Sequence, residues 1–117
     1  MIFAIDFDGT ICENSYPEIG KEIPGAIDTI KKISEYRTII LWTCRAGEEL
    51  KNAIDFCKSK GLVFDHINEN TLRRIDEYGS DSRKISADFY IDDKSIFCRD
   101  GIVRWNEIEK LLSGWLI

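Results

Sequence analysis

Asp6 and Asp8 stand two positions apart, directly after the apolar run Ile2-Phe3-Ala4-Ile5 and just before Gly9 and Thr10. On a strand that spacing puts both side chains on one side. Two like charges held so close repel, and a divalent cation removes the objection. Asp92 and Asp93 follow a second short apolar run, Phe89-Tyr90-Ile91. Thr43 ends a third, which begins at Thr38, and Lys84 stands just ahead of the Asp92 run. Carboxylates of this kind are hard oxygen ligands and suit magnesium, which is commonly held by one or two of them together with water and a substrate phosphate. A lysine and a threonine hydroxyl are natural donors to phosphate oxygens. Each residue alone has a plainer reading: an Asp-Gly turn, a strand-end hydroxyl, a solvated lysine. Together, at matching strand ends, they point to magnesium-assisted phosphoryl chemistry.

The elements that must position these residues alternate along the chain. The first apolar run is too short for a helix and reads as a strand buried on both faces, as in parallel sheets. A turn-prone segment follows over residues 12–22, with Pro17 and Gly20 as breakers. Pro24 suits an early helix position, and Ala26, Ile27, Ile30 and Ile33 then share one helical face. A second buried strand covers Thr38 to Trp42. A second helix starts near Gly47, turns Leu50, Ala53, Ile54 and Cys57 inward and stops at Gly61. A third strand is expected from Leu62 through Ile67. The polar stretch over residues 68–82 gives little pattern beyond room for a short helix through Leu72 and Ile75. The fourth strand is Phe89 to Ile91. Two β-prone runs around Asp100-Gly101 suggest a hairpin. A last helix is expected behind Asn106, with Glu109 completing a capping box and Ile108, Leu111, Leu112 and Trp115 on its apolar face. The alternation predicts an α/β three-layer sandwich on a mostly parallel, Rossmann-like sheet. Ligands of such sheets sit at the carboxyl ends of the strands, where the aspartates and Thr43 fall.

Composition narrows the classes. The 117 residues suit one domain, 1–117, with 44% hydrophobic and 32% charged residues. A net charge of −5 argues against coating nucleic acid through bulk electrostatics. No segment reaches the roughly 20 apolar residues of a membrane span, and the N-terminus lacks the basic start of a signal peptide. Cys12, Cys44, Cys57 and Cys98 are scattered, which fits reduced thiols in a cytoplasm better than a disulfide framework or a zinc site.

The residues resemble the four motifs of the haloacid dehalogenase superfamily of phosphohydrolases. Asp6-Phe7-Asp8-Gly9-Thr10 is similar to its D-x-D-x-T motif. Ile39 to Thr43 is similar to the apolar strand ending in Thr or Ser, and Phe89 to Asp93 to the strand with an acidic pair. Lys84 matches the lysine of the third motif. It lies only eight positions before Asp92, which resembles the compact run of small capless members, and Arg83 is the alternative. The resemblance implies that Asp6 is the nucleophile of an aspartyl-phosphate mechanism and Asp8 the acid and base. Thr43 and Lys84 would hold the transferring oxygens. Magnesium would be bound by Asp6, by Asp92 or Asp93, and by the backbone carbonyl of Asp8. It also implies an absent cap, since neither residues 10–24 nor residues 61–84 leave room for one. An open cleft would then be shielded by the segment 12–22 or by a second subunit of a homo-oligomer. The acidic balance favours a small phosphorylated substrate over a nucleic-acid end.

Arg45 stands close enough to Thr43 to touch a substrate, and Asn68-Glu69-Asn70 to line the entrance. His66 reads as structural or exposed, and Cys44 has no histidine placed to activate it. Two other classes remain open. One is a catalytically silent phosphate-binding module of the same superfamily. The other is a receiver-like phosphoacceptor domain, where the acceptor position after the third strand would be Asn68.

Overall fold

The computed structural model describes residues 1–98 and 100–116, the last two of these by backbone only. Four strands form one parallel sheet: β1 (Ile2–Ile5), β2 (Thr38–Leu41), β3 (His66–Ile67) and β4 (Phe89–Ile91), in the order β3-β2-β1-β4. Ile2 pairs with Thr38 and Ile5 with Leu41, while Phe3 to Ile5 pair with Phe89 to Ile91. β1 is therefore central, which is why its four residues are all buried and lack any polar alternation. Four α-helices connect and flank the strands: α1 (Ala26–Tyr36), α2 (Gly47–Ser59), α3 (Leu72–Tyr78) and α4 (Trp105–Leu116). None of the helices is long and apolar enough to cross a membrane.

Alternate strand residues serve two faces. Phe3, Ile5, Ile39, Leu41 and Ile91 pack with Ile30 and Ile33 of α1, Ala53 and Cys57 of α2, and Trp105 and Leu112 of α4. Ile2, Ala4 and Ile40 face the other way, beneath Ile85. That side is closed by the segment leading into β4, which Asn70 and Arg74 hold through Ser82, Ser86 and Asp88. The result is the expected Rossmann-like three-layer α/β arrangement, with a thin third layer.

Several boundaries differ from expectation for identifiable reasons. β3 is two residues long because Leu62 turns back into the core, its N–H on the Cys57 carbonyl, so the chain reaches β2 only at Asp65. Gly61 does stop α2, in the left-handed region at φ 81°. α1 begins past Pro24, at Ala26, because Gly25 takes φ 84° just before it. Among the described residues the expected hairpin is not formed. Ser95, Cys98 and Gly101 instead close successive turns around a 3-10 helix (Ile96–Cys98), and Arg99 falls outside the described residues. α4 starts one residue before Asn106, and Glu109 does not cap it. Glu109 bonds Thr29 and Lys32 of α1 instead, 3.3 and 3.2 Å away. Leu111 is exposed and Leu112 buried, while the side chain of Trp115 lies outside the described part.

Candidate active site

β1 and β4 end side by side, and the Asp6 N–H donates to the Ile91 carbonyl at 3.0 Å. This brings Asp6, Asp92 and Asp93 together, with one carboxylate oxygen of each within 4.8 Å of the others. Thr10 locks the arrangement. Its buried hydroxyl donates to Asp6 Oδ2 at 2.9 Å and accepts the Asp93 N–H at 3.0 Å. The loop that carries Thr10 is wound on the Phe7 carbonyl, which receives the N–H groups of Thr10, Ile11 and Cys12. From α4, the Trp105 indole donates to the Thr10 carbonyl at 2.8 Å. Gly9 is required here: it sits at φ 84°, and a Cβ on it would meet the Asp93 carboxyl carbon at 2.7 Å.

The three carboxylates are electrostatically incomplete. Among the described residues no ion pair reaches any of them. Burial, with the Asp92 charge next, pushes Asp6 up to about 7; the Thr10 hydrogen bond opposes this, and Asp93 adds to it. All the donors are hard oxygens, so the set fits a divalent cation of the magnesium or calcium kind better than a soft metal.

Asp8 does not share the cluster. Its carboxylate turns away and takes a bidentate pair from Arg45, with Nε to Oδ2 and Nη2 to Oδ1 both at 2.8 Å. The expected repulsion between Asp6 and Asp8 is thus relieved by a guanidinium rather than by a shared ion, and the carboxylate of Asp8 is not a metal ligand alongside the other three. Arg45 is buried, and all five of its N–H donors are used: the remaining bonds go to the carbonyls of Pro17, Glu18 and Glu49. The pair with Asp8 raises the Arg45 pKa above its ordinary value. Arg45 therefore has no donor left for a substrate; it fixes Asp8 and ties down the segment 12–22, lying between the rings of Phe7 and Tyr16.

Thr43 follows β2 as expected. Its hydroxyl accepts the Arg45 N–H at 3.1 Å, and its own N–H donates to Asn68 Oδ1 at 2.8 Å. Asn68 takes the left-handed conformation at φ 53° to make that bond. It is an amide positioning Thr43, in the place where a receiver domain would need its acceptor aspartate. Asn70 is buried and holds Asp81, Ser82 and Ser86, so it does not line an entrance. Glu69 is exposed, 3.3 Å from the ring of His66, and Cys44 is exposed. Lys84 is not brought into the cluster. It is exposed, with Nζ 5.5 Å from the Tyr90 ring centroid, and among the described residues no hydrogen bond joins it or the exposed Arg83 to the carboxylates. Thr10, Arg45 and Asn68 are positioning residues whose roles the spacing of motifs did not reveal. Only Thr10 carried a signal, its place in Asp-x-Asp-Gly-Thr.

No family model and no curated protein matches the chain. A solved structure of a conserved protein from Bacteroides thetaiotaomicron does. It is 41% identical, with a TM-score of 0.83, over 97% of this chain and 90% of that one. Identity at that level over nearly both full lengths means that the chain belongs to the same family as that conserved Bacteroides thetaiotaomicron protein.

Proposed function

We propose that this protein is a magnesium-dependent phosphatase of the haloacid dehalogenase type, hydrolysing a small phosphate monoester through an aspartyl-phosphate. The observation that carries this reading is the carboxylate trio of Asp6, Asp92 and Asp93, uncompensated by any cation among the described residues and adjoining a second, separately held aspartate. Asp6, Asp92 and Asp93 would hold the magnesium, which when bound offsets most of the cluster's charge and polarises a phosphoryl oxygen. The Asp8 backbone carbonyl belongs to the same proposed ligand set.

In this reading an Asp6 oxygen attacks phosphorus as the bond to the leaving oxygen breaks, and Asp8 gives that oxygen its proton. Asp8 then takes a proton from the water that attacks the phosphoryl-Asp6, releasing phosphate and restoring the Asp6 carboxylate and the protonated Asp8. To act in these steps Asp8 turns out of the Arg45 pair, which holds both its oxygens at rest. The Thr43 hydroxyl and the Lys84 ammonium supply donors to the transferring oxygens, Lys84 by swinging its flexible stem off Tyr90. The net charge of −5 favours small substrates over nucleic-acid ends. The scattered free cysteines suit a reducing compartment such as the cytoplasm.

The test is hydrolysis of an aryl phosphate with magnesium and with excess chelator, beside Asp6→Asn. Turnover that needs both magnesium and Asp6 supports the reading. Undiminished turnover in chelator rejects it, and phosphate binding without turnover points to a silent binding module.

A further inference from the structure

A groove of about 440 Å³ runs between β4 and α4, walled by Phe3, Phe89 and Ile91 of the sheet and by Ile108 and Leu112 of the helix. Among the described residues β4 is the last strand of the sheet and pairs with β1 alone, so this side also carries an open sheet edge. Around the groove stand large apolar side chains that the fold leaves in water. Tyr90, Phe97, Ile102 and Leu111 line it, while Phe97 also lines a neighbouring hollow with Ile96. Ile96 and Phe97, on the single 3-10 turn, are 82% and 91% exposed. Ile102 and Leu111 are more than half exposed, and Tyr90 is 42% exposed.

From this surface we infer that the β4–α4 face is a homodimer interface, occupied by the same face of a second copy of this chain. Three observations select that occupant. A small apolar ligand would fill the groove but leave Ile96 and Phe97 in water, whereas a two-fold partner covers both. The patch carries projecting side chains and a cavity together, so two copies can exchange Phe97 for groove, as an isologous contact requires. Its rim holds both signs, with Arg104 beside Asp100 and Glu107, so like charges need not meet across the axis. Among the described residues no cluster of basic side chains stands there for an anionic membrane, and the chain carries a net charge of −5.

The area is adequate. With about 150–250 Å² available from each aromatic side chain, the five residues offer on the order of 500–600 Å² of apolar surface. The groove walls and the polar rim bring this to roughly the 800 Å² per partner of a stable complex. Asp92 lines one end of the groove, so the second copy would also wall one flank of the carboxylate cluster. The inference does not depend on the proposed reaction.

Sedimentation or light scattering of the full chain from about 5 to 200 μM tests it. The expected species has twice the chain mass of 13.5 kDa. Phe97→Glu and Leu111→Glu should each weaken that association at least 100-fold while leaving the melting temperature at low concentration unchanged, because both side chains are exposed. Tyr78→Glu, exposed on α3, should leave association unaltered. A wild type that stays monomeric at 200 μM overturns the inference, including the case where an apolar dye binds the groove of that monomer. So does an oligomer whose dissociation constant changes less than twofold in both patch variants.

Discussion

Asp6 and Asp8 are two residues apart and have opposite surroundings. Asp8 is completed by the chain itself: a buried guanidinium meets both its oxygens and spends its other donors on three backbone carbonyls. Asp6 is crowded by two more carboxylates and meets one hydroxyl, with no cation among the described residues to balance it. That the fold places an arginine against one aspartate and leaves three others without a cation among the described residues is what supports the proposed metal site. Proximity in sequence says little about this. The balance of each carboxylate is set by what β2 and β4 bring to it.

The largest expected effect lies at the incomplete site. Asp6→Asn should lower turnover at least 1,000-fold, about 4 kcal/mol of transition-state stabilisation, without lowering the melting temperature. Turnover within tenfold of wild type would remove Asp6 from its role and leave the comparison purely structural. At the completed site the reverse is expected. Arg45→Leu leaves Asp8 facing the interior without its partner and frees three carbonyls, so it should cost about 3 kcal/mol of stability, read from urea denaturation. Arg45→Lys should recover little, because one ammonium cannot replace a bidentate fork. A loss under about 1 kcal/mol for Arg45→Leu would show that Asp8 needs no such partner.

Thr10→Val removes the hydroxyl that joins the two strand ends, and should destabilise by about 1–2 kcal/mol. It should also raise the magnesium concentration needed for activity, since Asp6 and Asp93 lose their common anchor. The smallest effect is a dependence on pH. Asp6 is raised from 3.8 to about 7, so its contribution to metal-free stability is complete below about pH 4 and is lost as pH rises through about 7. Metal-free protein should therefore melt a few degrees lower at pH 8 than at pH 5.5 on this account. Magnesium should restore the difference at pH 8 and do little at pH 5.5. Asp92→Asn should flatten the profile, and an unchanged profile in that variant would assign the pH dependence elsewhere.

The parts of the fold legible in the sequence are those carried by short-range pattern. Ile2 to Ile5, Thr38 to Leu41 and Phe89 to Ile91 are unbroken apolar runs ending in polar residues, and such runs admit few readings. Gly61 stopped α2 because a left-handed residue was needed there. What stayed hidden depends on partners distant in sequence. Glu109 looked like a cap for Asn106 until Thr29 and Lys32 on another helix offered better partners. Leu62 looked like strand and became core. Around Asp100-Gly101, Ser95, Cys98 and Gly101 close turns where a hairpin was expected. Arg45 stands two positions after Thr43, but its partner is 37 positions away, and no local rule connects the two.

The hydrogen bond from Trp105 to the Thr10 carbonyl joins positions 95 apart, and with it the timing of synthesis enters the chemistry. A chain growing from the ribosome at about 5–20 residues per second exposes Asp6, Asp8 and Arg45 well before Asp92, Asp93 or Trp105 exists. For several seconds the nascent chain carries one of the three clustered carboxylates and an unanchored Thr10 loop. The segment that carries Asp6 is therefore made well before the carboxylates that it joins. Any divalent cation it recruits must wait until β4 has slid in beside β1 at the sheet's edge.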